Sequence, residues 1–112
     1  LIAGGETTVT LRGGGMGGRN QEFALAAALG LQGCNNTVVL SGGTDGTDGP
    51  TDVAGAMVDA NTCRRAKNRL RLDAADYLHR NDSYRFFQKA GGHIVTGPTQ
   101  TNVMDIMLAL VG

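Results

Sequence analysis

Glycine crowds residues 13–18, GGGMGG, where five of six positions lack a Cβ, and the chain then runs straight into Arg19, Asn20, Gln21 and Glu22. Each glycine costs backbone entropy on folding and returns no side-chain packing. There are 18 glycines in the 112 residues, against roughly 8 expected at about 7% average usage. Hydrophobic residues make up 41% of the chain, too many for a disordered polypeptide. The glycines must therefore lie in loops between short packed elements, where a backbone can approach a neighbour closely or aim its amides at an anion.

The length fits one domain with a single core. Ten Lys and Arg residues balance ten Asp and Glu residues, which argues against a nucleic-acid partner or a membrane surface. Cys34 and Cys63 form no CxxC pair, so free thiols in a reducing, cytoplasmic setting are expected. No apolar run approaches the length of a membrane span, and no signal peptide is recognised. The chain opens on Leu1-Ile2-Ala3 rather than Met, as if cut from a longer polypeptide.

Local pattern predicts the elements. Glu6 to Arg12 is β-branched and alternating, a strand leading into the glycine loop. Phe23, Ala24, Ala27, Ala28 and Leu31 recur at helical spacing from Arg19 onward, with Gly30 and Gly33 as the stop. Thr37 to Ser41 reads as a buried strand emptying into GGTDGTDGP. Ala54 to Asp59 fits strand or helix, and Asn61 to Leu70 a helix with a basic face. Asp73 reads as the N-cap of Ala74 to Leu78. Asn81 or Asp82 reads as the cap of a helix running through Phe86 and Phe87 to Ala90, stopped by Gly91-Gly92. His93 to Thr96 and Asp105 to Val111 are β-prone. Alternating strands and helices predict an α/β fold: one domain with a mixed β-sheet flanked by helices and glycine-rich loops at strand ends.

Three loops carry candidate chemistry. Gly13, Gly15 and Gly18 satisfy G-x-G-x-x-G, but residues 33–37 lack the acidic residue a dinucleotide ribose requires. The same loop fails as a P-loop, since Arg19 stands for Lys and Asn20 for Ser or Thr. What survives is a set of amides at a helix N-terminus beside a guanidinium, suited to phosphate or carboxylate. The competing account is a tight turn with Arg19 salt-bridged to a carboxylate. In SGGTDGTDGPTD, Asp45, Asp48 and Asp52 stand at a strand's C-terminal end and could hold Mg²⁺ with several waters. Asx turn chemistry is the commoner use of Asp-Gly and the favoured one here. Thr96 to Asn102, TGPTQTN, is either a donor array or a plain turn. The basic run Arg64, Arg65, Lys67, Arg69 and Arg71 reads as a solvated face, and His79 and His93 as structural.

The segments GGETTV, GGRNQEFALAAAL, SGGTDGTDGPTDVAGA, NDSYRFF and TGPTQTNVMD, in this order, resemble the C-terminal MOFRL domain of class II glycerate kinases, a family also labelled hydroxypyruvate reductase. The resemblance covers essentially the whole chain. It implies a two-domain α/β enzyme that binds ATP and D-glycerate in the cleft between its domains. Phosphoryl transfer to the 2-hydroxyl would give 2-phosphoglycerate, with an N-terminal kinase domain as the missing partner. It further implies Arg19 as the catalytic arginine and Gly15, Gly17, Gly18, Asn20 and Glu22 as its phosphate- or substrate-binding neighbours. Thr96, Thr99, Thr101 and Asn102 would line the same site, and Asp45 and Asp48 would face the cleft and hold Mg²⁺. The chain departs from the family pattern at Gly14 and Met16, where basic residues are common, at Gln100, where Gly is usual, and at Met104, where Asn is common. A reductase and a stand-alone anion-binding module are the alternatives, and a homodimer is left open.

Overall fold

In the computed structural model the described residues are 15–97, 99 and 104–111, with residues 2–5 described as backbone. The strand expected over residues 6–12 lies outside them, as do Gly13, Gly14, Gln100, Thr101 and Asn102.

The elements follow in the order β1 (Ile2–Gly5), α1 (Arg19–Gly30), β2 (Thr37–Gly43), β3 (Gly55–Asp59), α2 (Thr62–Leu70), α3 (Ala74–His79), α4 (Ser83–Ala90), β4 (His93–Ile94) and β5 (Asp105–Val111). The segment from Ala54 resolves to a strand, because Ala56 and Val58 turn inward while Met57 between them stays about half exposed. That period of two leaves no helical stripe. Asp73 caps α3 by accepting from the Ala75 amide at 3.1 Å. Asp82 stands at the N-cap position of α4, but its carboxylate makes no cap bond there and serves a different partner.

The strands form one sheet in the order β1-β5-β2-β3-β4. All described pairings are antiparallel, where a mixed sheet was expected. α1 lies between β1 and β2 in sequence, and α2, α3 and α4 lie between β3 and β4. β1 and β2 both run antiparallel to β5 between them, so the chain leaves α1 in the direction it had in β1, whereas β4 runs opposite to β3.

α1 packs over β2 and β3, and α2, α3 and α4 close around it. The core joins Leu25 and Ala28 of α1, Val39, Ala56 and Val58 of the sheet, and the fully buried Phe86 and Phe87 of α4. The two phenylalanine rings meet edge to face, 5.2 Å between centroids. The buried side of α1 is rotated from the expected stripe. Asn20, Gln21, Ala24, Leu25 and Ala28 are buried, whereas Phe23 is exposed. Alanines let the helix approach the sheet, and two amide side chains go inside with it. The basic residues of α2 are solvent-exposed, as expected. Among the described residues no helix is long and apolar enough to cross a membrane.

Candidate functional site at one end of the sheet

β2 ends at Gly43 directly opposite Asp105, the first residue of β5. The loop after β2, the segment before β5 and the start of α1 therefore meet at one end of the sheet. The threonine loop is stitched to the aspartate loop: Thr99 donates its amide to the Asp45 carbonyl at 3.0 Å and its hydroxyl to the Thr44 carbonyl at 2.6 Å. Met104 and Thr44 exchange two more bonds, at 2.8 and 3.0 Å. Gly46, at φ 84°, passes so close to the Gly97 carbonyl that a side chain there would collide with it.

The helix N-terminus is already occupied. Gly18 at the N-cap has no side chain to offer the orphan amides. Asp48 reaches across from its loop instead. Its Oδ1 accepts from the Asn20 amide at 3.0 Å and Asn20 Nδ2 at 3.2 Å, and its Oδ2 accepts from the Gln21 amide at 2.8 Å and Gln21 Nε2 at 3.0 Å. Asp48 is 1% exposed. The positive end of α1 thus takes an internal carboxylate as its anion. Asp45 is held the same way within its own turn, accepting from the Thr47 amide at 3.1 Å and the Thr47 hydroxyl at 3.2 Å. Asp48 is thus taken up by four of the chain's own donors, while the half-buried Asp45 accepts two. Among the described residues no three His, Cys, Asp or Glu side chains are grouped to hold a metal ion.

Arg19 opens α1, and Asp105 holds it. Asp105 Oδ2 accepts from Arg19 Nε, and Oδ1 accepts from Nη2 at 3.1 Å. Asp105 is wholly buried, while a third of the Arg19 side chain is exposed. The carboxylate account weighed for Arg19 is therefore present, in a side chain that is still a third exposed. Asp105 is the residue that sequence reasoning missed. Its signal was a single charge at the head of the apolar run DIMLALV.

The glycine loop is fastened to the corner between α3 and α4. Gly15 donates to the Arg80 carbonyl at 3.2 Å, Met16 donates to Asp82 Oδ1 at 2.9 Å, and Tyr84 donates to the Met16 carbonyl at 2.9 Å. This is where the Asp82 carboxylate goes instead of capping α4. Gly17 lies against Ser83, with no room for a Cβ. The Gly15 amide, one of those expected to face a phosphate, thus binds protein, as does the Met16 amide beside it. Glu22 also faces this corner, accepting from Asn81 Nδ2 at 2.6 Å. Among the described residues its Oε2 and the Ser83 hydroxyl make no hydrogen bond of normal geometry, although Ser83 stands close enough to act on the carboxyl. Burial pushes the Glu22 carboxyl above its ordinary value, and nearby Asn81 and Ser83 offset part of the rise. His93 supports the same layer, its Nε2 lying 3.1 Å from Gln21 Oε1 and its ring 4.8 Å from that of Tyr84. Burial lowers its pKa below 6.5. Thr96 and Thr99 are exposed at the loop end.

A fold of this pattern with these loops at one sheet end is that of the MOFRL family, whose model matches residues 1–105, and the chain belongs to that family. It is similar to the D-glycerate 2-kinase of Thermotoga maritima, 50% identical over 111 residues that cover 99% of this chain and 26% of that protein. It is likewise 53% identical to the glycerate kinase of Rattus norvegicus, covering 96% of this chain and 22% of that one. The crystal structure of the Thermotoga maritima glycerate kinase superposes with a TM-score of 0.96, over 100% of this chain and 27% of that one. The chain spans about a quarter of the length of these relatives.

Proposed function

We propose that this chain is the part of an ATP-dependent D-glycerate 2-kinase that forms one wall of the phosphoryl-transfer cleft, facing a larger N-terminal domain. The observation that carries this reading is Arg19, its guanidinium held by Asp105 and its side chain a third exposed, at the end of the sheet where the polar loops meet. The half-identity to a D-glycerate 2-kinase supports it. Phosphoryl transfer needs charge neutralisation and positioning more than covalent help. Arg19 would neutralise charge on the transferring group, and Thr96 and Thr99 of the third loop would serve the same end of the sheet. Asp48, Asn20 and Glu22 would act behind Arg19, building the helix start rather than touching substrate. ATP is the proposed donor, and no step is assigned to Mg²⁺ at Asp45 or Asp48. A cytoplasmic setting, in which the exposed Cys34 stays reduced, belongs to the same reading. The reductase alternative would need a dinucleotide at the glycine loop, but the Gly15 and Met16 amides donate to Arg80 and Asp82.

The test is to put this chain in place of the matching quarter of the Thermotoga maritima enzyme and assay ATP-dependent phosphorylation of D-glycerate. The hybrid should turn over, and the 112-residue chain alone should not. Arg19→Ala in the hybrid should lower kcat by about 10³-fold or more, with a smaller change in KM. A kcat within a few-fold of the parent would remove Arg19 from the site.

A further inference from the structure

The Arg19 side chain is directed from two sides. Its backbone is set because Asp48 fixes the first turn of α1 and because the glycine loop before it is fastened to Arg80, Asp82 and Tyr84. Its guanidinium is set because the buried Asp105 accepts from both Nε and Nη2. A planar fork meeting a carboxylate along one edge has a single favoured orientation, so the last side-chain torsions are fixed. Asp105 is itself braced. Asn20 Nδ2 donates to Asp105 Oδ1 at 3.1 Å and to Asp48 Oδ1 at 3.2 Å, and the Ser41 hydroxyl holds the Asn20 carbonyl oxygen at 2.6 Å. One amide therefore ties the carboxylate that starts the helix to the carboxylate that aims the arginine.

From this geometry we infer that Asp105 is a positioning residue of the phosphoryl-transfer site, aiming the Arg19 guanidinium at the transferring group, with Asn20 as the strut between Asp105 and Asp48. The inference rests on the kinase reading above. A plain structural ion pair is the competing account, and the two make different demands. An ion pair needs only opposite charges held close together. An aimed arginine needs its fork in one place, since a displacement on the order of 1 Å in a site can cost about 10²-fold in rate. The pairing also keeps a part-buried cation neutralised until a phosphate arrives, which limits the desolvation cost of holding it ready.

Four variants of the hybrid kinase test this. Asp105→Asn keeps the shape and the bond from Asn20 but removes the charge. Its kcat should fall about 10²-fold while KM for glycerate and ATP stays within about threefold. Asp105→Glu keeps the charge but displaces the fork by one methylene, and should lose kcat by a similar factor. Arg19→Gly should regain activity in millimolar guanidinium chloride, whereas Arg19→Gly combined with Asp105→Glu should not. In the 112-residue chain itself, the Arg19 Nε–H proton should exchange slowly with solvent by NMR, and fast in Asp105→Asn. Should Asp105→Asn fail to fold, Asp105→Glu and the guanidinium comparison carry the decision. A kcat retained within about threefold by Asp105→Glu, or rescue that is indifferent to residue 105, overturns the assignment. If the unsubstituted hybrid has no kinase activity, the functional reading fails by itself. Fast exchange at Arg19 Nε–H would then overturn the holding role of Asp105 as well.

Discussion

At the scale of single residues, Glu22 is the most exposed to test because burial and an oxygen without a normal hydrogen bond act on it together. Its carboxyl titrates above 4.5, so the folded state holds the proton more tightly than the unfolded state does. The stability this confers is complete below that value and is lost as pH rises through the folded-state pKa. Glu22→Gln removes the titration, keeps an acceptor for Asn81 and offers Ser83 a donor. The variant should melt with the parent in acid and above it at pH 7. Satisfying one buried polar atom is worth on the order of 1 kcal/mol, or about 4–8 °C in a domain near this size. Thermal melts across pH check both the sign and the window. A variant less stable than the parent at pH 7 would mean that the Glu22 charge is itself needed by the α3–α4 corner.

At the scale of elements, β3 states the layer rule most simply. Val58 is buried against the helices while Met57, one residue away, is about half exposed on the opposite face. Val58→Ala should cost about 2 kcal/mol through lost burial and a cavity. Met57→Ala should change stability by about 0.5 kcal/mol or less. Chemical denaturation of the pair measures the difference, and equal costs would mean the open face is covered in solution. Element type was legible in the chain because it depends on local pattern: helical spacing after Arg19, the Asp73 cap, and the Gly91 stop all lie within a few residues of what they control. The face of α1 was not legible. Asn20 and Gln21 go inside only because Asp48, Ser41 and Thr51 await them from other elements.

At the scale of the whole molecule, the loops after β2 and before β5 act as one body. Gly46 is one of the points where they touch, in a left-handed conformation beside the Gly97 carbonyl. Gly46→Ala adds both a strained φ and a collision, so it should destabilise the domain by roughly 1–3 kcal/mol. It should also speed hydrogen exchange at the Thr99 amide, whose bond to Asp45 spans the two loops. A variant that leaves that amide as protected as in the parent would show that the loops are joined elsewhere. The sequence alone determined the helix after Arg19, the three later helices, the strands around Thr37–Ser41, His93 and Asp105–Val111 and the polar loops between them, but not β1 at Ile2–Gly5, and it left Ala54–Asp59 between strand and helix. What it determined is written in neighbouring residues, through periodicity, capping and turn chemistry. The tertiary structure decided the antiparallel pairings, the inward turn of Asp48 onto the helix start, and the meeting of Arg19 with Asp105. Those contacts join residues 28 and 86 positions apart. Which carboxylate satisfies a buried donor is settled by packing, and no local pattern in the chain encodes it.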